Sequence, residues 1–365
     1  EAVTHGIQKI VDTNHKYKQN DLCQLHTWQP HWGIMLGEAL PIEISRGCVF
    51  NCKFCLYEKK RSDRKSPADL RREFIFNYEN FGTTQYHFVD DCLNDHRLKV
   101  EGVCDVIDSL PFKIEWVSYA RFDVAVRFPE TTRRMISSGA RGLYWGVESL
   151  TYEVARRAGK GTPPDKIKNF IVSLRKEFGD ECYFSGSFIS GLPGETPETW
   201  RREADWLLEN DSFHFIHVGS LLIAPYKAYL DMKEIDYADY SRDPAKYGFQ
   251  EIRFNPHYWR HETMDFIEAE LLAGELIHNW LKKKPGGLSQ DIWQYPVWRS
   301  RGFSREQINS FFFESDQAKQ KLYRSRLADS QASQISEYKT WVETQYGSPI
   351  GFHKNKINLF AQAHE

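Results

Sequence analysis

The chain has 365 residues, 41% hydrophobic and 27% charged, which is ordinary for a globular protein of one large domain or two modest ones. Lys and Arg number 48 against 50 Asp and Glu, a net charge of -2, so no global positive field favours nucleic acid or an anionic membrane surface. No apolar run approaches the ~20 residues that span a bilayer, and the start has no signal-peptide pattern.

Residues 1–39 are polar and aromatic with little periodicity, and read as an N-terminal lead-in wrapping the next domain. Residue 1 is Glu rather than Met, which points to a chain cut from something longer. From residue 40 short β-type runs alternate with longer helix-type runs. Strands are expected over Leu40–Ile44, Tyr86–Val89, Ile114–Tyr119, Leu143–Val147, Tyr183–Ile189 and Phe215–Leu222. Between them, Pro67–Asn80, Leu98–Ser109, Pro129–Ser138, Thr151–Ala158, Pro164–Phe178 and Thr196–Asn210 have the apolar spacing of amphipathic helices. Ser66-Pro67 and Thr196-Pro197 each place a capping residue before a first-turn proline.

Repeated βα units imply a parallel sheet with right-handed crossovers. Six strands fit a partial (β/α)6 barrel over residues 40–225, although periodicity does not separate this from a doubly wound sheet. After residue 225 the rhythm stops. Residues 226–260 look irregular, and helices are expected over Glu262–Lys283, Arg305–Phe313 and Ala318–Tyr346. This last part, 226–365, is rich in Trp and Tyr. It reads as a helical region capping a substrate over the barrel mouth, or as a helical core. His257 and His261 are four apart, but Pro256 beside them argues against a helical metal pair.

Seven cysteines stand at 23, 48, 52, 55, 92, 104 and 182. An odd count with three inside eight residues suits a metal site in a reducing, cytoplasmic setting rather than a secreted disulfide framework. The string Ser45-Arg46-Gly47-Cys48-Val49-Phe50-Asn51-Cys52-Lys53-Phe54-Cys55 has C-x3-C-x2-C spacing. Thiolates serve zinc and iron–sulfur clusters alike. A closed zinc site wants four ligands, usually as two separated pairs, and no second pair is present; His26 and His31 lack the spacing. Three thiolates on a four-iron cluster leave one iron open for a small molecule. The basic run Lys59-Lys60-Arg61 with Arg64-Lys65 just beyond reads as a solvated loop, with a phosphate or partner contact as the alternative.

The cysteine string resembles the signature of the radical S-adenosylmethionine (SAM) superfamily. Its style, with the "FVDD" and "GVES" strings below, is similar to the cobalamin-dependent branch, although the 40 or so residues before the barrel are too few for a cobalamin domain. The resemblance implies that Cys48, Cys52 and Cys55 hold a [4Fe–4S] cluster, that SAM chelates its fourth iron, and that reduction yields a 5′-deoxyadenosyl radical that abstracts hydrogen. It implies an external electron donor such as flavodoxin or ferredoxin, and leaves cobalamin open as a further cofactor.

The same resemblance assigns candidate SAM contacts in order. Phe54 packs beside the cluster or the adenine. Asp90 and Asp91, after the second strand, meet the SAM amino group, or act as a turn or helix cap. Arg121, ending the third strand, pairs the SAM carboxylate or a neighbouring acid. Glu148 and Ser149 end the fourth strand; Glu148 faces SAM or is a buried structural acid. Ile189 packs on adenine, Gly191 permits close approach, and the backbone at Ala224 meets adenine; Glu195 is structural. Cys92, two residues past Asp90, is either a radical-quenching hydrogen donor or an idle buried thiol. With no cysteine after 182, an auxiliary cluster is not expected. The substrate, a small molecule or peptide, is not legible. Three functions follow: hydrogen abstraction leading to epimerisation, rearrangement or oxidation; cobalamin-dependent methyl transfer; or a non-catalytic metal-binding module.

Overall fold

The structure, a computed structural model, describes residues 28, 33–55, 63–223, 239–283, 292–313 and 316–346. The first part runs β1 (Leu40–Ile42), the short antiparallel pair β2 (Ser45–Arg46) and β3 (Asp63–Arg64), α1 (Pro67–Phe81), β4 (Gln85–Phe88), α2 (Arg97–Asp108), β5 (Glu115–Arg121), α3 (Phe122–Arg127), α4 (Pro129–Ser137), β6 (Ala140–Glu148), α5 (Tyr152–Arg157), α6 (Pro164–Phe178), β7 (Tyr183–Ser190), α7 (Pro197–Glu209) and β8 (Phe215–Ser220). The local signals act as chemistry dictates. The Ser66 side chain accepts the Asp69 N–H and Pro67 opens α1. Thr196 and Thr199 cap each other reciprocally at the start of α7.

Six strands pair in parallel in the order β1-β4-β5-β6-β7-β8. No step reverses direction. Right-handed crossovers repeated one way lay every helix on the same face, and a sheet covered on one face curls. A doubly wound sheet would need a reversal. The order therefore decides for the partial barrel.

Alternation along the strands divides the two faces. Trp116, Leu143, Trp145, Phe184 and Phe188 are buried in the main core. Each such side chain contributes roughly 1.5–3 kcal/mol by leaving water. Val117, Tyr183 and Phe215 instead form a second cluster with Ile292, Tyr295 and Trp298. These three share the concave face with Tyr119, Tyr144 and Glu148.

The remainder contains α8 (Asp239–Arg242), the antiparallel hairpin β9 (Phe249–Phe254) and β10 (His257–His261), α9 (Phe266–Lys283), α10 (Gln294–Ser300), α11 (Arg305–Phe313) and α12 (Gln317–Tyr346). The hairpin corrects the expectation of an irregular 226–260, and it delays the next helix from Glu262 to Phe266. Arg299 Nε donates to Glu115 at 2.8 Å, Tyr295 Oη to the same carboxylate at 3.2 Å, and Tyr183 Oη is bonded to Asn309. Glu115 and Tyr183 are the first residues of their strands. Thus α10 and α11 close the N-terminal end of the sheet, opposite the end that carries the cysteine loop. Trp293, Tyr295 and Trp298 therefore plug the bottom of the barrel rather than cover its mouth. No helix among the described residues is long and apolar enough to cross a membrane.

Candidate cluster and cofactor site

The cysteine loop leaves the C-terminal end of β1, so its three thiols stand at the strand ends where βα folds gather ligands. Cys48, Cys52 and Cys55 are all half-buried. The loop is held from several elements at once. Asp90, fully buried past β4, accepts from the Ile44 N–H at 3.3 Å, the Ser45 hydroxyl at 2.5 Å and the Ser45 N–H. Asp91 accepts the Gly47 N–H at 3.0 Å. Both acids expected at the SAM ammonium thus brace the residues leading into Cys48. Burial raises Asp90 to about 6, against the pull of Lys99. Lys99, also buried, donates to the Ser45 hydroxyl at 2.9 Å and the Cys92 carbonyl at 2.7 Å, and pairs with Asp95 at 2.6 Å.

The second half of the loop is clamped from the other side. Lys53 N–H donates to the Ala158 carbonyl at 3.0 Å, and Tyr240 N–H to the Lys53 carbonyl at 3.1 Å. Lys53 Nζ pairs with Asp239 of α8 at 2.6 Å. Gly159, at φ +90°, lies so close that a Cβ there would stand 2.9 Å from the Asn51 carbonyl oxygen and 3.1 Å from Cys52 Cα. Only glycine meets both demands.

Arg121, ending β5, reaches the cysteine loop directly. Its Nη1 donates to Cys52 Sγ at 2.9 Å and its Nη2 to the Gly159 carbonyl at 2.9 Å. Nε and Nη2 grip Asp123 at 2.7 Å each, and the Phe50 ring covers the guanidinium at 3.9 Å. Burial opposes the charge, but Asp123 and Cys52 more than offset it, so the guanidinium is held charged. Asn94 accepts the Arg121 N–H at 2.6 Å and donates to its carbonyl at 2.9 Å, fixing the strand end.

Glu148, ending β6, has φ +70°, the one non-glycine residue in that region among those described. Such backbone costs of order 1–3 kcal/mol and collects at working sites. Its carboxylate accepts from buried Lys160 at 3.1 Å and from the Ser187 hydroxyl at 3.2 Å. Lys160 also donates to the Gly146 carbonyl at 2.6 Å. Burial works to discharge the ammonium, and Glu148 together with Cys52 and Asp123 more than offsets it, so Lys160 is held above the ordinary lysine value. A carboxylate with about four acceptor positions keeps room for further donors.

The other expected contacts lie differently. The Ser149 hydroxyl donates to Glu203 of α7 at 2.7 Å, so it is committed to the helical layer. Gly191, at φ +83°, has the expected close neighbour, but it is Trp259: a Cβ there would meet the indole at 2.2 Å. His261, the second of the paired histidines, lies in β10 with its Nε2 3.1 Å from the Gly191 carbonyl. Glu195 accepts the Gly191 N–H at 2.6 Å and is itself raised by burial and by Glu203, so it braces the turn while Thr196 caps the helix. Phe54 and Ile189 are half-buried against the main core. Ala224, Cys23, His26 and His31 lie outside the described residues. Cys92 is buried, and its hydrogen bond with Cys48 leads the causes that bring Cys48 down to about 7.

Sequence reasoning missed Asn94, Lys99, Asp123 and Gly159. Asp123, two residues past Arg121, was visible as a partner. The others act across tens of residues and carry no local signal.

These residues fit a three-thiolate cluster. The thiols sit half-buried on one braced loop, a cation is aimed at one sulfur, and Cys48 is biased toward its thiolate. Among the described residues no three His, Cys, Asp or Glu side chains are placed to share a single ion, whereas cluster thiolates each bind a different iron. Residues 42–207 match the radical SAM superfamily. Over that segment the chain carries a radical SAM domain. Such a domain implies an enzyme that uses SAM and a [4Fe–4S] cluster. It is 30% identical over 158 residues to an uncharacterized methyltransferase of Pyrococcus horikoshii, covering 42% of this chain and 33% of that one. It is 24% identical over 299 residues to the anaerobic magnesium-protoporphyrin IX monomethyl ester cyclase of Cereibacter sphaeroides, covering 76% and 45%. The chain thus spans less than half the length of either relative. Similar solved structures include the radical SAM methyltransferase TsrM of Kitasatospora setae with tryptophan and a SAM analogue, at 17% identity and TM-score 0.44 over 60% of this chain and 40% of that one. Another is the cobalamin-dependent radical SAM enzyme OxsB, at 14% identity and TM-score 0.46 over 83% and 54%.

Proposed function

We propose that this radical SAM enzyme cleaves SAM reductively and uses the resulting radical to abstract hydrogen from a small molecule or peptide. The observation that carries it is the braced loop of Cys48, Cys52 and Cys55, with Arg121 and Glu148 converging beside Cys52 through Gly159 and Lys160. When bound, the cluster and SAM supply one-electron chemistry: reduction splits SAM into methionine and a 5′-deoxyadenosyl radical.

The chain's own residues do the rest. Cys48, Cys52 and Cys55 would hold three irons and leave the fourth open. Asp90 and Asp91 fix the loop that presents Cys48, so the ligands are preorganised. Glu148, charged and held by Lys160 and Ser187, offers acceptor positions to the SAM ammonium or ribose hydroxyls. Ile189 supplies an apolar edge for adenine. Below them Tyr119, Tyr144 and Trp293 line the concave face, with Tyr119–Trp293 centroids 4.5 Å apart, and give an aromatic floor to the space where a radical would act.

Anaerobic reconstitution with SAM and dithionite tests this reading. Formation of 5′-deoxyadenosine, lost in Cys52→Ala, supports it; wild-type protein that holds a cluster yet yields none contradicts it. A cobalamin-dependent methyl transfer is a second reading; the name of the Pyrococcus relative, a methyltransferase, supports the methyl transfer and is silent on cobalamin. S-adenosylhomocysteine as a product, formed only with added cobalamin, would choose it.

A further inference from the structure

We infer that Arg121 is a positioning residue that sets the reduction potential of the cluster through Cys52, with Asp123 as its counterweight. This rests on the reading that Cys52 is a cluster ligand. Nη1 donates to Cys52 Sγ at 2.9 Å, and the guanidinium is 7% exposed at its side chain, so little solvent screens it. It is anchored on every side: Asp123 takes two of its N–H groups, the Gly159 carbonyl a third, and Phe50 covers its face. Of the five donors a guanidinium owns, four are therefore taken. The arrangement is rigid, charged and aimed at sulfur.

Hydrogen bonds and charge beside a cluster's sulfurs are established determinants of its potential. A cluster that accepts an electron becomes more negative by one charge. A fixed cation at Cys52 stabilises that form more than the oxidised one, which raises the potential. Asp123, one side chain farther from the sulfur, partly cancels the effect. The pair thus acts as a dipole with its positive end on Cys52. Arg121 and Asp123 should then have opposite influence. A pair serving only to pack the loop would have no such sign.

The test is an EPR-monitored redox titration of the anaerobically reconstituted full chain without SAM, alongside iron and sulfide counts. The SAM-free measurement removes any contribution from the one N–H that remains for the cofactor. Arg121→Gln is expected to shift the midpoint to more negative values, Asp123→Asn to more positive values, and Arg121→Lys to fall between Arg121→Gln and wild type. If Arg121→Gln does not retain about four irons, the positive shift in Asp123→Asn decides the matter alone. Unchanged midpoints in variants that hold four irons, or shifts of the same sign in both, overturn the inference and leave the cluster assignment standing. A wild-type chain that takes up no cluster overturns the assignment itself.

Discussion

Replacing Gly191 by alanine should destabilise the fold through Trp259, and a double-mutant cycle measures this. At φ +83° an added side chain strains the backbone by about 1–2 kcal/mol. The new Cβ would also stand 2.2 Å from the indole and 2.9 Å from Ala269 Cβ, so Trp259 must move. Trp259 is wholly buried, and its Nε1 donates to the Leu221 carbonyl at 2.7 Å, so it has nowhere to retreat without losing that bond. Overpacking of this kind adds about 1–3 kcal/mol. G191A should therefore cost about 2–5 kcal/mol in the intact background. In W259A, itself lowered by about 3–5 kcal/mol, the clash with the indole is gone, and the backbone strain of about 1–2 kcal/mol remains together with the lesser crowding against Ala269. The coupling of about 1–3 kcal/mol is read from urea unfolding of the cluster-free protein by far-UV circular dichroism. An equal cost for G191A in both backgrounds would refute the claim that Trp259 dictates this glycine.

Three further outcomes follow from the buried charges and the braced loop. Lys160→Met leaves Glu148 charged and unpaired at 9% exposure, and should lower stability by about 3–5 kcal/mol, less whatever Ser187 still supplies; adding Glu148→Gln should recover most of it. Glu195 is raised in the folded state by burial and by Glu203, so the native protein binds a proton that the unfolded chain releases above about pH 4.3. Stability from this group is present below that pH and lost as pH rises; Glu195→Gln should match wild type near pH 4 and exceed it at pH 8 in denaturation curves. Gly159→Ala should push the Asn51–Cys52 backbone outward and reduce the iron bound per chain, measured colorimetrically, while an unchanged count would separate the glycine from the cysteine loop.

The βα rhythm was legible because each strand and helix carries its own periodicity and caps. Pro164–Phe178 and Arg305–Phe313 fall where the pattern put them. What the pattern could not carry was partnership at long range. The curl of the sheet depends on strand order, which no single run encodes. The hairpin Phe249–His261 was obscured by the irregular register at Arg260 and His261. Helix α10 is seven residues long with a proline inside, too short for a 3.6-residue period to show. The same divide runs through the site. The cysteine motif and the strand-end acids are local and were readable. Whether Arg121 faces Cys52 depends on Asp123 and Gly159, and the need for Gly191 on an indole 68 residues away.

We propose that Cys48, Cys52 and Cys55 hold a SAM-cleaving cluster. Its most direct test is metal and product analysis of the anaerobically reconstituted chain after reduction with SAM. About four irons per chain and 5′-deoxyadenosine among the products are expected, with loss of both when the three cysteines are replaced by alanine. Zinc held by those cysteines, with SAM recovered intact, would contradict it.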